Sequence, residues 1–338
     1  MSLNNSNAPS SPDTAGGLPE DGRPVRRRLG WLDVVRGIAI LAMASYHFSW
    51  DLEYFGYLAP GTVGIGLFKY YARGIASSFL LLAGFSLVLG HFPRFRRRPF
   101  LIRFAKVAAA AAVISVATWF AFPTGFIFFG ILHAIAAASL IGLLFLRLPV
   151  AVTLLTALAA FLAPFYLRSA VFDLPALWWV GLSETLPRSN DYVPLLPWLA
   201  PFLTGIALGR IALAKGWLDT ARAPERPAGS IKRGLAFAGR HSLPIYLIHQ
   251  PLLFSLVALF AMIHPAARPD PRPAFQSSCM ATCTGDQTQA FCARFCGCTL
   301  DRLVERNLLD PLDQGQIDVQ TDSRISEIAG QCTMKAQE

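Results

Sequence analysis

Leu32-Asp33-Val34-Val35-Arg36-Gly37-Ile38-Ala39-Ile40-Leu41-Ala42-Met43-Ala44-Ser45-Tyr46-His47-Phe48 is apolar enough to cross a bilayer, yet it carries an aspartate, an arginine and a histidine. Arg36 and His47 are eleven positions apart. At about 100° per residue that is roughly 1,100°, close to three whole turns, so the two side chains share one helix face, roughly 16 Å apart along it. An ionisable group inside a membrane helix costs about 2.5–3.5 kcal/mol on insertion scales and faces a protein interior or a wet cavity. Two on one face point to a site.

The rest of the chain agrees with a membrane setting. Of its 338 residues 54% are hydrophobic and 15% charged, and the mean hydropathy is +0.44, which is too apolar for an ordinary soluble globule. The net charge of +9 does not indicate nucleic acid, because the basic residues fall between apolar segments rather than along one solvated face. The expected fold class is an all-α polytopic helix bundle of about seven transmembrane helices with a cytoplasmic N-terminus and a small, helical, cysteine-rich C-terminal tail. Segments of span length occupy 31–50, 72–91, 104–122, 127–146, 149–168, 194–213 and 243–263.

Residues 1–25 are too polar to bury a core and are expected to be disordered. Arg26, Arg27 and Arg28 then flank the first span as in an uncleaved signal anchor. Further arginines and lysines fill the gaps between spans two and three (Arg94, Arg96, Arg97, Arg98, Arg103), four and five (Arg147), and six and seven (Arg210 to Arg240). All three gaps fall on the N-terminal side, as the positive-inside rule requires. The opposite loops are rich in aromatics, read first as interfacial belt residues, and Leu174–Leu186 reads as a re-entrant or interfacial helix. The Ala-rich third span is expected to be a central packing helix.

The polar residues inside spans are few. Arg36 could snorkel to the near interface, with Asp33 as its partner three residues earlier; alternatively it belongs to a site. His47 near the far third of its span is a candidate general base, with a satisfied buried histidine as the alternative. His133, at a similar depth in span four, and His249, placed nearer the inner half and bracketed by Pro244 and Pro251, are the other candidates. Three histidines without cysteine ligands beside them suggest proton or acyl handling rather than a metal site. Asp191 caps span six or holds a polar acceptor at the mouth.

All six cysteines, Cys279, Cys283, Cys292, Cys296, Cys298 and Cys332, lie in the tail. Outside the cell they read as a disulfide framework; inside, as a zinc site. An odd number of spans puts the tail outside. Cysteines at i and i+4 share a helix face, so two such helices packed antiparallel pair outer with outer and inner with inner: Cys279 with Cys296, Cys283 with Cys292, leaving Cys298 for Cys332. The expected organisation is 1–25 disordered, 26–263 the membrane domain, 264–278 a linker and 279–338 the tail.

Arg-Gly-Ile-Ala-Ile from Arg36, Phe-Phe-Gly-Ile-Leu-His from Phe128, Asn-Asp-Tyr-Val-Pro-Leu-Leu-Pro-Trp from Asn190 and Gly-Arg-His-Ser-Leu-Pro-Ile-Tyr-Leu-Ile-His-Gln-Pro from Gly239 together resemble the bacterial DUF1624 proteins. These are classed with the catalytic domain of heparan-α-glucosaminide N-acetyltransferase, in a wider transmembrane acyltransferase group that includes the acyltransferase-3 family. The resemblance covers roughly residues 26–263. In the acyltransferase-3 branch an arginine, ten residues and a histidine mark the first span, and Arg36 and His47 match that spacing. In the glucosaminide branch the catalytic histidine follows the first span, where this chain has no histidine between Asp51 and Gly90.

The resemblance implies an inner-membrane enzyme that moves an acyl group, acetyl first among them, from cytoplasmic acyl-CoA to an extracytoplasmic acceptor such as an envelope glycan. Arg96, Arg97, Arg98 and Arg36 would bind the anionic end of acyl-CoA, with no metal required. Its partners would be the bilayer, acyl-CoA and the acceptor, with a homo-oligomer left open. Two other classes stand beside it: a transporter or channel using Arg36, His47 and His133 as a relay, and a membrane anchor for the tail.

Overall fold

The computed structural model describes residues 29–59, 61–220, 229–266, 270–284, 287–313, 317, 319 and 322–337. The expectations for 1–25 and for Arg26 to Arg28 lie outside them. The described residues are helical with no strand, in the order α1 Gly30–Tyr54, α2 Gly66–His91, α3 Arg97–Ala121, α4 Ile131–Phe145, α5 Val150–Tyr166, α6 Leu195–Ala214, α7 Trp217–Thr220, α8 Ser230–Arg240 and α9 Ser242–Ile263, then α10 Pro271–Cys283, α11 Gln289–Glu305, α12 Leu309–Asp313 and α13 Ser323–Gln337. Seven of these coincide with the expected spans. By length and composition α2, α3, α6 and α9 suffice to cross a membrane, α4 and α5 are shorter apolar helices, and α1 is long but carries charge.

The described residues form two compact units, one running to Asp51 and from Gly61 to Val257, the other holding those of Leu52–Pro60 and of Ala258 onward. The first unit is built around α6, which packs against α2, α4 and α5. Phe202, Leu203, Ile206 and Ala207 on α6 are fully buried. Its contact with α2 is a close approach of backbones: a Cβ on Gly84 would run into the Phe202 carbonyl, and one on Gly205 into the Leu81 carbonyl. Side-chain-free positions are what let two helices meet in lipid, where apolar burial between helices gains little.

The Ala-rich α3 is therefore not the central helix. It buries only Phe100, Ala110 and Ala111, resting on Leu132 of α4, while Leu101, Val113, Val116 and Phe120 stay exposed. Small residues suit a lipid-facing surface as well as a packed one, so their abundance alone does not locate the centre. Two loop expectations also change. Leu174–Leu186 is not a continuous helix but a 3-10 turn over Pro175–Val180 followed by a loop closed on Asp173, whose Oδ1 accepts from the Ser183 hydroxyl and the Glu184 and Thr185 amides. Those bonds, that of Thr185 foremost, hold the Asp173 carboxyl below the ordinary carboxylate range.

The gap before the seventh span also contains α8, which crosses the first turns of α1. A Cβ on Gly37 would meet the Leu235 carbonyl, and one on Gly239 the Asp33 carbonyl. Lys232, Arg233 and Arg240 on α8 are exposed, and it was their charge that made the segment read as loop.

In the second unit α10 and α11 are joined by Cys279–Cys296 and Cys283–Cys292, and α11 is tied to α13 by Cys298–Cys332. This is the outer-with-outer, inner-with-inner pairing that an antiparallel hairpin demands. With every cysteine paired, the alternative zinc site has no thiolate left. Leu303 and Ile328 are almost wholly buried beside Cys332, with Leu308, Leu309 and Ile325 completing the core. So small a core is stapled where burial alone would leave it marginal.

Candidate active site

Three groups of polar residues meet inside the first unit, and the first begins with Arg36. Its guanidinium donates to Asp33 Oδ1 at 3.2 Å and to Ser86 Oγ on α2 at 2.5 Å, while Ser86 in turn donates to the Leu82 carbonyl. Ser86 is thereby fixed as an acceptor for the arginine, and Asp33 is buried. Arg36 is thus held inside the protein, anchored to a neighbouring helix, and does not merely snorkel.

Beside it lies a pocket of about 200 Å³ lined by Arg36, by Arg103 and Lys106 from α3, by Ile131 and Leu132, and by Ser242 and Tyr246 from α9. Arg103 is near enough for its charge to be felt at Arg36. Three cations line the pocket, with Asp33 beside Arg36 to offset one of them, a lining that favours an anion. Arg96, Arg97 and Arg98, at the start of α3, do not line this pocket, whereas Arg103 and Lys106, about two turns further along, do. Positions 96, 103 and 106 lie at intervals of seven and three, so the repeat that brings one to the pocket was present in the sequence.

The second group is a histidine pair. The rings of His47 on α1 and His249 on α9 meet edge to face with centroids 5.0 Å apart, so His249 lies level with His47 rather than nearer the inner half. Tyr246, one turn before His249, packs on its ring at 5.7 Å and also lines the cationic pocket. One side chain thus connects the two groups. Next to the histidines, Gln250 Nε2 donates to Oδ1 of the fully buried Asp51 at 2.7 Å. Asp51 was not singled out from sequence, although it lies one turn beyond His47 on the same face; Gln250 directly follows His249.

The third group is separate in role. His133 Nδ1 accepts the Gly130 amide at 3.2 Å and its Nε2 lies 3.2 Å from Ser115 Oγ. Ser115 also donates to the Ile127 carbonyl, leaving its oxygen to accept. With Nδ1 accepting, Nε2 carries the proton and donates, so both ring nitrogens are spent on fastening the start of α4 to α3. In this bonding His133 fastens two helices, and its Nε2 is a donor rather than a free base. Asp191 likewise caps a different helix from the expected one: its Oδ2 accepts from the Ile131 amide at 3.0 Å, at the start of α4 rather than α6. The reason is that residues 190–193 lace onto the α3–α4 turn, Asn190 donating to the Gly125 carbonyl and Val193 to that of Phe129. Loop aromatics join the same layer, Phe128 packing on Trp178 and Tyr192, with the Tyr192 hydroxyl donating to the Trp178 carbonyl.

Burial pushes the Asp191 carboxyl up to about 6 against the opposing pull of the Ile131 amide. A folded-state value above the ordinary 3.8 means that the folded protein binds more protons than the unfolded one between roughly pH 4 and 6, so stability falls as pH rises through that window. Asp191→Asn keeps an oxygen for the cap and cannot titrate. It should remove that slope, worth up to about 3 kcal/mol, from the thermal unfolding midpoint followed between pH 4 and 7. An unchanged slope would place the titrating group elsewhere.

The family described as heparan-alpha-glucosaminide N-acetyltransferase, catalytic, matches residues 28–251, a stretch that contains Arg36, His47, Asp51, Arg103, Asp191, His249 and Gln250 and excludes the disulfide-bonded tail. No curated protein and no solved structure matches the chain. With about two thirds of its length covered and all three polar groups inside the match, this chain belongs to the heparan-alpha-glucosaminide N-acetyltransferase catalytic family.

Proposed function

We propose that this protein takes an acetyl group from acetyl-CoA at the cytoplasmic face of a bacterial inner membrane and gives it to a hydroxyl or amine of an envelope sugar on the other side. The observation that supports this reading is the bridge made by Tyr246, which lines the pocket of Arg36, Arg103 and Lys106 and touches the His249–His47 pair. A donor whose anionic part is held by the three cations has its thioester end directed at the two imidazoles. The pocket, about 200 Å³, is smaller than the roughly 300–1,000 Å³ usual for drug-sized ligands. It suits a phosphate or the pantetheine arm, and the remainder of the nucleotide would lie outside.

In the reaction the acceptor nitrogen or oxygen attacks the thioester carbonyl, the carbon–sulfur bond breaks, and the acceptor's proton passes through the histidine pair to the departing thiolate. The fully buried Asp51 with Gln250 sits beside this transfer. A relay for transport is less well supported, since His133 has both nitrogens engaged.

The test is to incubate the purified protein in lipid nanodiscs with radiolabelled acetyl-CoA and D-glucosamine. Labelled N-acetylglucosamine with stoichiometric free CoA is the expected result; no turnover of acetyl-CoA would refute it. Arg103→Ala should raise the KM for acetyl-CoA by about 10-fold or more, as loss of a charge-assisted hydrogen bond worth about 1.5–3 kcal/mol implies, with kcat changed far less. An unaltered KM would remove Arg103 from the donor site.

A further inference from the structure

The acyl-transfer reading leaves open which imidazole takes the proton. Resting on that reading, we infer that His249 is the general base, its Nε2 receiving the proton of the acceptor's N–H or O–H, while His47 serves the thioester carbonyl.

The hydrogen bonding of the ring fixes the direction. His249 Nδ1 lies 2.7 Å from the Tyr246 backbone carbonyl, and a carbonyl oxygen can only accept, so Nδ1 carries the hydrogen. In the neutral ring the lone pair is then on Nε2. That atom is buried and, among the described residues, has no hydrogen-bond partner. A polar atom buried without a partner is destabilising, and a donor brought by a ligand would relieve it. His133 makes the contrast: its two nitrogens are both satisfied within the fold. Of these two, His133 is used up in the structure and His249 presents a base.

The neighbours of His249 point the same way. Asp51 Oδ2 and Gln250 Oε1 are also buried without partners, and both are acceptors. The cluster therefore offers lone pairs to a group that arrives with hydrogens, which is what an amine or hydroxyl acceptor does and a thioester carbonyl does not. The carbonyl, itself an acceptor, is left to His47, which flanks His249 at 5.0 Å and whose ring can donate to the oxygen as negative charge develops there. The balance is closed. One acceptor N–H or O–H and the carbon–sulfur bond are broken, one carbon–nitrogen or carbon–oxygen bond and one sulfur-bound hydrogen are made, and no oxidant or further reagent is needed.

The experiment compares two acceptors for the full-length protein in nanodiscs. D-Glucosamine presents an ammonium that must lose a proton to attack, whereas hydroxylamine is neutral near pH 7 and attacks without a base. His249→Gln should lower the rate with glucosamine at least 100-fold, and that loss should exceed the loss of acetohydroxamate formation from hydroxylamine by at least 10-fold. His47→Ala should lower both. Acetyl-CoA binding to His249→Gln, measured by titration, should stay within about 2-fold of wild type. Equal loss with both acceptors, or no loss with glucosamine, would overturn the assignment of His249 while leaving acyl transfer itself intact. A wild-type protein inert with both acceptors would overturn the acyl-transfer reading, and this assignment with it.

Discussion

His47→Ala is expected to lower acetyl transfer by 10² to 10⁴-fold, about 3–5 kcal/mol of transition-state stabilisation, without disturbing insertion. The side chain lies on α1 between the cationic pocket and Asp51, its ring against His249 at 5.0 Å and Tyr46 at 5.8 Å. Truncation removes the group proposed to serve the reacting carbonyl and leaves a gap beside two other aromatic rings, which a helix bundle tolerates far better than it tolerates an added side chain at a tight crossing. The measurement is the single-turnover rate with labelled acetyl-CoA, together with the elution profile of the purified protein. A wild-type rate in the variant would take His47 out of the chemistry. A loss of monodisperse protein would instead make its role structural.

The second large effect is on the fold. Gly84→Val should prevent stable assembly of the first unit, because its Cβ would strike the Phe202 carbonyl, with the Ile206 amide at 3.2 Å behind it. Backbone cannot swing aside as a side chain can, so α2 and α6 would have to separate, emptying the contacts around Leu203 and Ile206. Overpacking commonly costs about 1–3 kcal/mol, and a clash with backbone at the central crossing should reach the top of that range or exceed it. Gly90→Val, six residues later on the same helix, meets nothing within 4 Å and provides the control. Comparable yields and melting temperatures for the two variants would contradict the placement of α6 at the centre.

That centre was not readable from composition. Seven apolar segments of span length locate the helices because a bilayer demands about twenty apolar residues whatever they pack against. Which helix lies inside depends on matched glycines at one crossing, Gly84 on α2 facing α6 and Gly205 on α6 facing α2, and a single sequence does not show which glycines face each other. α3 has the more conspicuous run of small residues but little to pack them on. α8 was hidden by Lys232, Arg233 and Arg240, which satisfy the charge rule for a loop and equally decorate the exposed side of a helix.

The candidate site divides in the same way. The shared face of Arg36 and His47 follows from helical period, and so does the disulfide ladder, since cysteines at i and i+4 in two antiparallel helices have one natural pairing. Partners that come from other helices were out of reach: Ser86 for Arg36, Ile131 for Asp191, Ser115 for His133. For Arg36 the local partner, Asp33, is real, but the partners contributed by other helices lie 50, 60 and 18 positions away. Asp51 could have been found, because an acidic residue one turn beyond a membrane histidine carries the same insertion cost that singled out Arg36.

Vectorial transfer is the most direct consequence of a conduit through the first unit. Protein reconstituted into liposomes, with radiolabelled acetyl-CoA on one side and D-glucosamine confined to the other, should form labelled N-acetylglucosamine in the acceptor compartment and leave free CoA in the donor compartment. Arg103→Ala should slow it at limiting donor and His47→Ala should stop it. Label that reaches the acceptor only when both compounds share a compartment, or does not reach it at all, would contradict a conduit running from the cationic pocket to the histidine pair.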